Sequence, residues 1–290
     1  MSLSTVFEDG KLIKMINKEV LWDGLFSRAT KYGSIVKFVE AHLPNNTICV
    51  IPHSDGNNCR TWQHWATDIQ PYIDYAKEKN KIFILCTLAQ VTEEPGINYL
   101  YMPLDDVFFE QGVAPLFPNL LTWEQKSEQL CWRGGSSGEG GNKSLRVRFV
   151  EKLYEQHSNI RLSTWWSEGK NIPNHYFANR VHYTEFLKYK IFFIVDGAVI
   201  ASNHMWGFAT GAAPFYISNA RCWFTPFLIP YVNHIPVKHD LSDLIEKIEW
   251  VKNNDDKAKV IAENALQFTK YYFSAEYQQD YLKTQLDKYK

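Results

Sequence analysis

Short apolar runs bounded by turn-forming residues recur along this chain. They lie at Thr47 to Pro52, Ile82 to Leu88, Tyr99 to Pro103, Leu130 to Trp132, Ile191 to Val195, Phe215 to Ile217 and Pro230 to Val237. Runs without polar alternation predict strands buried on both faces, as in parallel sheets. Between them the apolar positions take helical spacing, over Leu21 to Leu43, Trp62 to Glu78, Trp123 to Gln129, 144–156 and 202–210. Asp240 reads as an N-cap ahead of Leu241, Leu244, Ile245 and Ile248. Val260, Ile261, Leu266 and Phe268 mark the next helix, and Tyr271 to Tyr289 predicts a terminal one. Pro115 to Leu121 reads as a crossing segment.

Strand and helix therefore alternate in the βαβ manner twice, which predicts an α/β fold of two lobes with a cleft between them. The expected divisions are 1–122, 123–270, and a terminal helix over 271–290. Within the second lobe, Asp196-Gly197 ends the apolar run Ile191 to Val195 abruptly, and a small-residue turn follows. Open α/β sheets bind ligands at such carboxyl ends of strands, so Ala198 to Met205 is expected at the rim of a crevice.

Bulk properties narrow the function. Lys and Arg number 31 against 32 Asp and Glu, with no long basic run, so nothing electrostatic favours nucleic acid or an anionic membrane as partner. The five cysteines are scattered, without a CxxC or Cys/His cluster, and predict neither a zinc site nor a disulfide framework. The 10 Trp, 16 Tyr and 18 Phe serve mainly as core, though Trp and Tyr also suit sugar stacking. No transmembrane run and no signal-peptide pattern is read, and LDKYK is not a retention signal, so a cytoplasmic location is expected.

The glycine-rich stretch Arg133-Gly134-Gly135-Ser136-Ser137-Gly138-Glu139-Gly140-Gly141 lies between a predicted strand and a predicted helix. Such a loop lets backbone N–H groups approach an anion closely, and Arg133, Arg146 and Arg148 offer guanidinium groups suited to a diphosphate. A solvated surface loop is the plainer alternative. Gly141-Asn142-Lys143-Ser144 also approaches a Walker A loop, with Phe192 to Asp196 as its Walker B strand, so a nucleoside-triphosphate hydrolase or kinase is the rival enzyme class. The inserted Asn142 opposes that rival. Asp105-Asp106 invites a metal reading, but adjacent acids on an extended segment point apart, and a turn or solvated pair is the better expectation.

KYKIFFIVDG-x-x-AS, then PFLIPYVNHIPVKHDLSDLIEKIEWVKNNDDKAKVIAENALQF, and upstream CWRGGSSG with Arg146 and Arg148, resemble the CAP10-type glycosyltransferases of family 90. That family includes protein O-glucosyltransferases and glycan xylosyltransferases, and its compact members occur in bacteria and large viruses. The resemblance implies a GT-B-type fold of two Rossmann-like lobes. It also implies inverting transfer of a sugar, xylose favoured over glucose, from a UDP-sugar to a hydroxyl of a glycan or glycoprotein. Carried onto this sequence, it makes Asp55 the catalytic base, with His53 a neighbouring backup. Arg133, Gly134, Gly135, Ser136, Arg146, Val199, Ala201, Ser202, Asn203 and His204 become donor contacts, and Phe117 stands where a tyrosine is usual. The structural alternative for Asp55-Gly56 is a turn. No obligatory cofactor or metal is implied. His204, however, replaces the family's arginine, so a divalent metal is allowed though not favoured, and donor affinity is expected to depend on pH. A virus-encoded chain would act in the host cytoplasm. A non-catalytic carbohydrate-binding protein is the third reading, since rings and a cleft need no base.

Overall fold

The computed structural model describes residues 4–14, 33–52, 69–164 and 171–290. Asp55, His53 and Cys59 lie outside them, as do the amino-terminal portions of the helices expected over 21–43 and 62–78. The elements are β1 (Ser4–Glu8), β2 (Lys11–Lys14), α1 (Ser34–His42), β3 (Thr47–Pro52), α2 (Gln70–Glu78), β4 (Ile82–Thr87), β5 (Ala89–Gln90), β6 (Asn98–Tyr101) and α3 (Asp106–Gln111). They continue with β7 (Trp132–Gly135), α4 (Leu145–Leu153), β8 (Ile160–Thr164), β9 (Ile191–Val195), α5 (Asn203–Trp206), β10 (Ala213–Ile217) and β11 (Arg221–Cys222). β12 (Ile235–Pro236), α6 (Leu244–Asn253), α7 (Asp255–Tyr272) and α8 (Ala275–Asp287) complete the chain. No helix among the described residues is long and apolar enough to cross a membrane.

The mixed α/β chain divides into two compact units. One comprises 1–112, 220–225 and 272–290; the other comprises 113–219 and 226–271. The first unit holds a five-stranded sheet in the order β2-β1-β3-β4-β6. β3, β4 and β6 run parallel, as their apolar runs predict, with Cys49 opposite Ile84. An antiparallel hairpin edges them, and its turn at Asp9-Gly10 has positive φ at both positions. That dipeptide between apolar pairs is the sequence signal of a two-residue hairpin, and it was open to reading. α8 packs on α1 and α3 in this unit. Its buried Gln278 donates to Phe108 O (2.9 Å) and Phe273 O (3.2 Å).

The second unit holds the parallel sheet β12-β10-β9 and the parallel pair β7-β8. β9 is buried throughout, and its Phe193 stands opposite Phe215 of β10. A chain of edge-to-face rings joins Trp132, Phe149, Phe193 and Phe215 at centroid spacings of 5.3, 5.1 and 5.2 Å, knitting β7, α4, β9 and β10 into one core.

Several expected elements are shorter or displaced. The helix over Trp123 to Gln129 is a single 3₁₀ turn, Trp123–Gln125, with a capping box between Thr122 and Gln125. The strand expected over Leu130 to Trp132 is β7, Trp132–Gly135, carried on into the glycines by pairing with β8, which the apolar pattern does not announce. Pro230 to Val237 yields only β12, because Tyr231 turns at φ 58° and its N–H closes on His234 O. The helix over 202–210 is α5 followed by a 3₁₀ turn, Gly207–Ala209. Asp240 does not cap a helix: its carboxylate accepts from Ser242 N, Leu241 takes φ 63°, and α6 begins at Leu244. The helix marked by Val260 to Phe268 is α7, and the terminal helix expected over Tyr271 to Tyr289 is α8, which begins after Ser274, whose hydroxyl accepts from Tyr277 N.

Candidate functional site

The glycine-rich loop leaves β7 and enters α4 through the 3₁₀ turn Gly141–Lys143. Lys143 is exposed there. Behind the loop the Arg146 side chain is buried, 8% exposed, and its donors are distributed over three segments. Nε and Nη2 reach Val195 O at 3.3 and 3.1 Å, while Nη1 reaches Gly135 O at 3.4 Å and Ser137 Oγ at 3.1 Å. One guanidinium thus ties the end of β7, the loop and the end of β9, a task its planar fork suits and a single ammonium does not. Ser136 is buried, and its carbonyl accepts from Ser144 Oγ at 3.3 Å.

Loop and strand end are pressed together through two glycines. A Cβ added to Gly138 would meet Gly197 O at 3.0 Å, and one on Gly197 would meet the Arg146 guanidinium and Ser137 Oγ at 3.0 Å each. A side chain at either position would force its neighbours to give by a few tenths of an ångström, and Gly138 also takes φ 134°, a region that favours glycine.

Asp196, the residue that ends β9, is 4% exposed. Its Oδ1 accepts from His204 Nε2 at 2.8 Å, and its Oδ2 accepts from Asn219 N at 3.2 Å. His204 is fully buried. A carboxylate only accepts, so Nε2 carries the proton, and Nδ1 then accepts from Ala201 N at 3.1 Å. The same Nδ1 lies 3.1 Å from Asn203 Oδ1, an acceptor for the protonated ring. His239, at the end of the β12 segment, places Nε2 4.0 Å from Asp196 Oδ2 and keeps 40% of its side chain exposed. The carboxyl ends of β9, β10 and β12 therefore converge on one buried carboxylate.

Of the residues expected at the site, Gly135, Arg146, Ala201, Asn203 and His204 are drawn into this hydrogen-bonded cluster. Gly134 is half-buried on β7. Val199 is buried, with its carbonyl accepting from Gly197 N, and Ser202 is half-buried at the start of α5. Phe117 is 6% exposed and packs its ring near Tyr183 and Trp206. It also lines a cavity of about 220 Å³ with Leu120, Ala209, Leu266, Thr269 and Lys270. Arg133 turns elsewhere: its guanidinium donates to the carbonyls of Trp132, Asn159 and Asn179, and burial lowers its pKa. Asp105 and Asp106, read from sequence as a turn or solvated pair, are buried. Asp105 Oδ1 caps α3 by accepting from Val107 N (2.9 Å), while Asp106 Oδ1 accepts from Ile35 N (3.0 Å). The residues that sequence reasoning passed over as site residues are Asp196, taken as a strand stop and as the end of a Walker B strand, and His239, which follows the strand expected over Pro230 to Val237.

Residues 118–290 match the model of glycosyl transferase family 90, and the chain belongs to that family. It is 29% identical over 203 residues to "Uncharacterized protein 179R" of Invertebrate iridescent virus 6, covering 58% of this chain and 17% of that protein. It is 32% identical over 148 residues to protein O-glucosyltransferase 1 of Homo sapiens, covering 50% of this chain and 37% of that protein. It is 34% identical over 154 residues to protein O-glucosyltransferase 2 of Danio rerio, covering 51% and 29%. The chain thus spans well under two thirds of the length of these relatives. Among solved structures, one titled "Crystal structure of GtfA/B complex" aligns with 90% of this chain and 56% of its own, at 12% identity and TM-score 0.47.

Proposed function

We propose that this chain is an inverting glycosyltransferase of GT-B type that moves a sugar from a UDP-sugar to a hydroxyl of a glycan or glycoprotein. The observation that supports it most is the junction of glycine loop, Arg146 and Gly197 at the carboxyl end of β9, inside the segment matched to the family. Backbone N–H groups of such a loop and a fixed guanidinium suit a departing diphosphate, whose charge grows as the glycosidic bond breaks. Gly134, Gly135, Ser136, Arg146, Val199, Ala201, Ser202 and Asn203 would hold the donor, with Arg133 acting through the backbone it braces, His204 through the Asp196 it pairs with, and Phe117 supplying a ring face. Asp55 would take the proton of the acceptor hydroxyl, as inversion requires. The relatives bear the name protein O-glucosyltransferase, which puts glucose alongside xylose as the transferred sugar. No metal is assigned to the reaction.

Thermal unfolding with UDP-xylose, UDP-glucose, UDP, a GDP-sugar and ATP is the first test. Ligands selective for the folded state raise the midpoint by mass action. Stabilisation by UDP and one UDP-sugar is expected. Stabilisation by ATP alone would overturn the reading in favour of nucleotide hydrolysis. Asp55→Asn is expected to abolish transfer while UDP affinity stays within about threefold, because a base acts on the acceptor. Wild-type turnover in that variant would remove Asp55 from the mechanism and leave the donor site standing.

A further inference from the structure

Three parallel strands end around Asp196, and they end asymmetrically. From β9 comes the carboxylate, from the end of β10 the Asn219 N–H on Oδ2, and from the β12 segment His239, 4.0 Å from the same oxygen. Oδ1 is occupied by His204, which is sealed from solvent. A buried carboxylate costs several kcal/mol unless it is paired and hydrogen-bonded, and His204 with Asn219 N meets that need from inside. His239 is therefore not required to neutralise Asp196, yet it stands beside the carboxylate with 40% of its side chain in solvent. Charged groups on the neighbouring segments are Lys238 and Asp240 beside it in sequence, Arg148 of α4, which acts electrostatically on Asp240, and Asp243, whose carboxylate accepts from Lys238 N. The Asp196 carboxylate leads directly through Gly197 to Ser137 and the Arg146 guanidinium.

We infer that His239, oriented by Asp196, is a phosphate-contacting residue of the donor site, and that His204 is a positioning residue acting through Asp196. This rests on the UDP-sugar reading above. A carboxylate beside an anion site would repel a diphosphate if left bare. Hydrogen-bonded on one oxygen by His204, and with the His239 ring 4.0 Å from the other, it instead faces an imidazole that can present an N–H to the phosphate. The buried histidine keeps the carboxylate fixed, and the exposed one meets the ligand.

The test is titration of UDP and of uridine into the full chain, wild type and His239→Gln, at pH 6 and pH 8. Wild type is expected to bind UDP more tightly at pH 6. His239→Gln is expected to weaken UDP about tenfold at pH 6, the size of one lost charge-assisted hydrogen bond, to flatten the pH dependence, and to leave uridine unchanged. Asp196→Asn should weaken UDP as well, with the Asp196→Asn/His239→Gln double variant no worse than the weaker-binding single. His239→Gln, altering a half-exposed side chain, keeps the test valid if the buried substitution fails to fold. Wild-type UDP affinity in His239→Gln overturns the inference while sparing the donor reading, and so does an equal loss of UDP and uridine. Failure of the wild type to bind UDP overturns both.

Discussion

Arg146 illustrates how one residue acquires a role that its position in the sequence only hints at. On α4 it looks like one of two arginines on a helix, two residues from Arg148. In the fold it is buried and clamps Gly135, Ser137 and Val195, whereas Arg148 is half-buried. Arg146→Ala should therefore lower both UDP affinity and stability. Each loss is expected at about 2 to 4 kcal/mol, the scale of removing a buried charge-assisted network. Arg146→Lys should recover little, because an ammonium cannot span three acceptor sites in fixed directions. Arg148→Ala is expected within about 0.5 kcal/mol of wild type in stability. Urea unfolding and UDP titration of the three variants check this, and an unchanged Arg146→Ala protein would refute the clamp.

At the scale of elements, α3 begins on a strained electrostatic choice. Asp105 caps it, yet Oδ2 has no hydrogen-bond partner among the described residues, and burial pushes its carboxyl up to about 6. The unfolded chain loses this proton near the usual 3.8, so between about pH 4 and pH 6 the folded state holds the extra proton. Stability contributed by this group is greatest below the unfolded value and falls as pH rises through the folded one. Asp105→Asn keeps an acceptor for Val107 N and removes the charge. It is expected to exceed wild type by about 1 to 2 kcal/mol at pH 7.5, the buried amide still lacking one partner, and to show no advantage at pH 4. Urea midpoints at the two pH values decide the matter; an advantage that persists unchanged at pH 4 would place its origin outside ionisation.

At the scale of the whole molecule, the chain returns to its first unit at the end. Phe273, Gln278, Leu282 and Leu286 are buried there, and α8 packs on α1 and α3. Removing 273–290 should strip amide-exchange protection from β3 and β4 while leaving β9 and β10 protected, since local opening follows the loss of buried contacts. Hydrogen exchange on the truncated chain tests it. Equal loss in all four strands would mean that the two units open as one.

The strands buried on both faces were legible from sequence, because an unbroken apolar run such as Ile191 to Val195 has one low-energy destination. The family was legible too, in CWRGGSSG and KIFFIVDG, and the glycine loop declared its place between a strand and a helix. Short elements were less so. β8 and the glycine end of β7 exist through pairing with each other, and the segment around Tyr231 was decided by a backbone turn that apolar content does not encode. Polar residues were the least legible: Lys126 and Asp106 look like surface residues along the chain and are buried in the fold. Local periodicity reports which backbone segments must leave water, but the fate of a carboxylate or imidazole depends on partners distant in sequence. Asp196 became the centre of the candidate site only when the ends of β9, β10 and β12 brought His204, Asn219 and His239 around it.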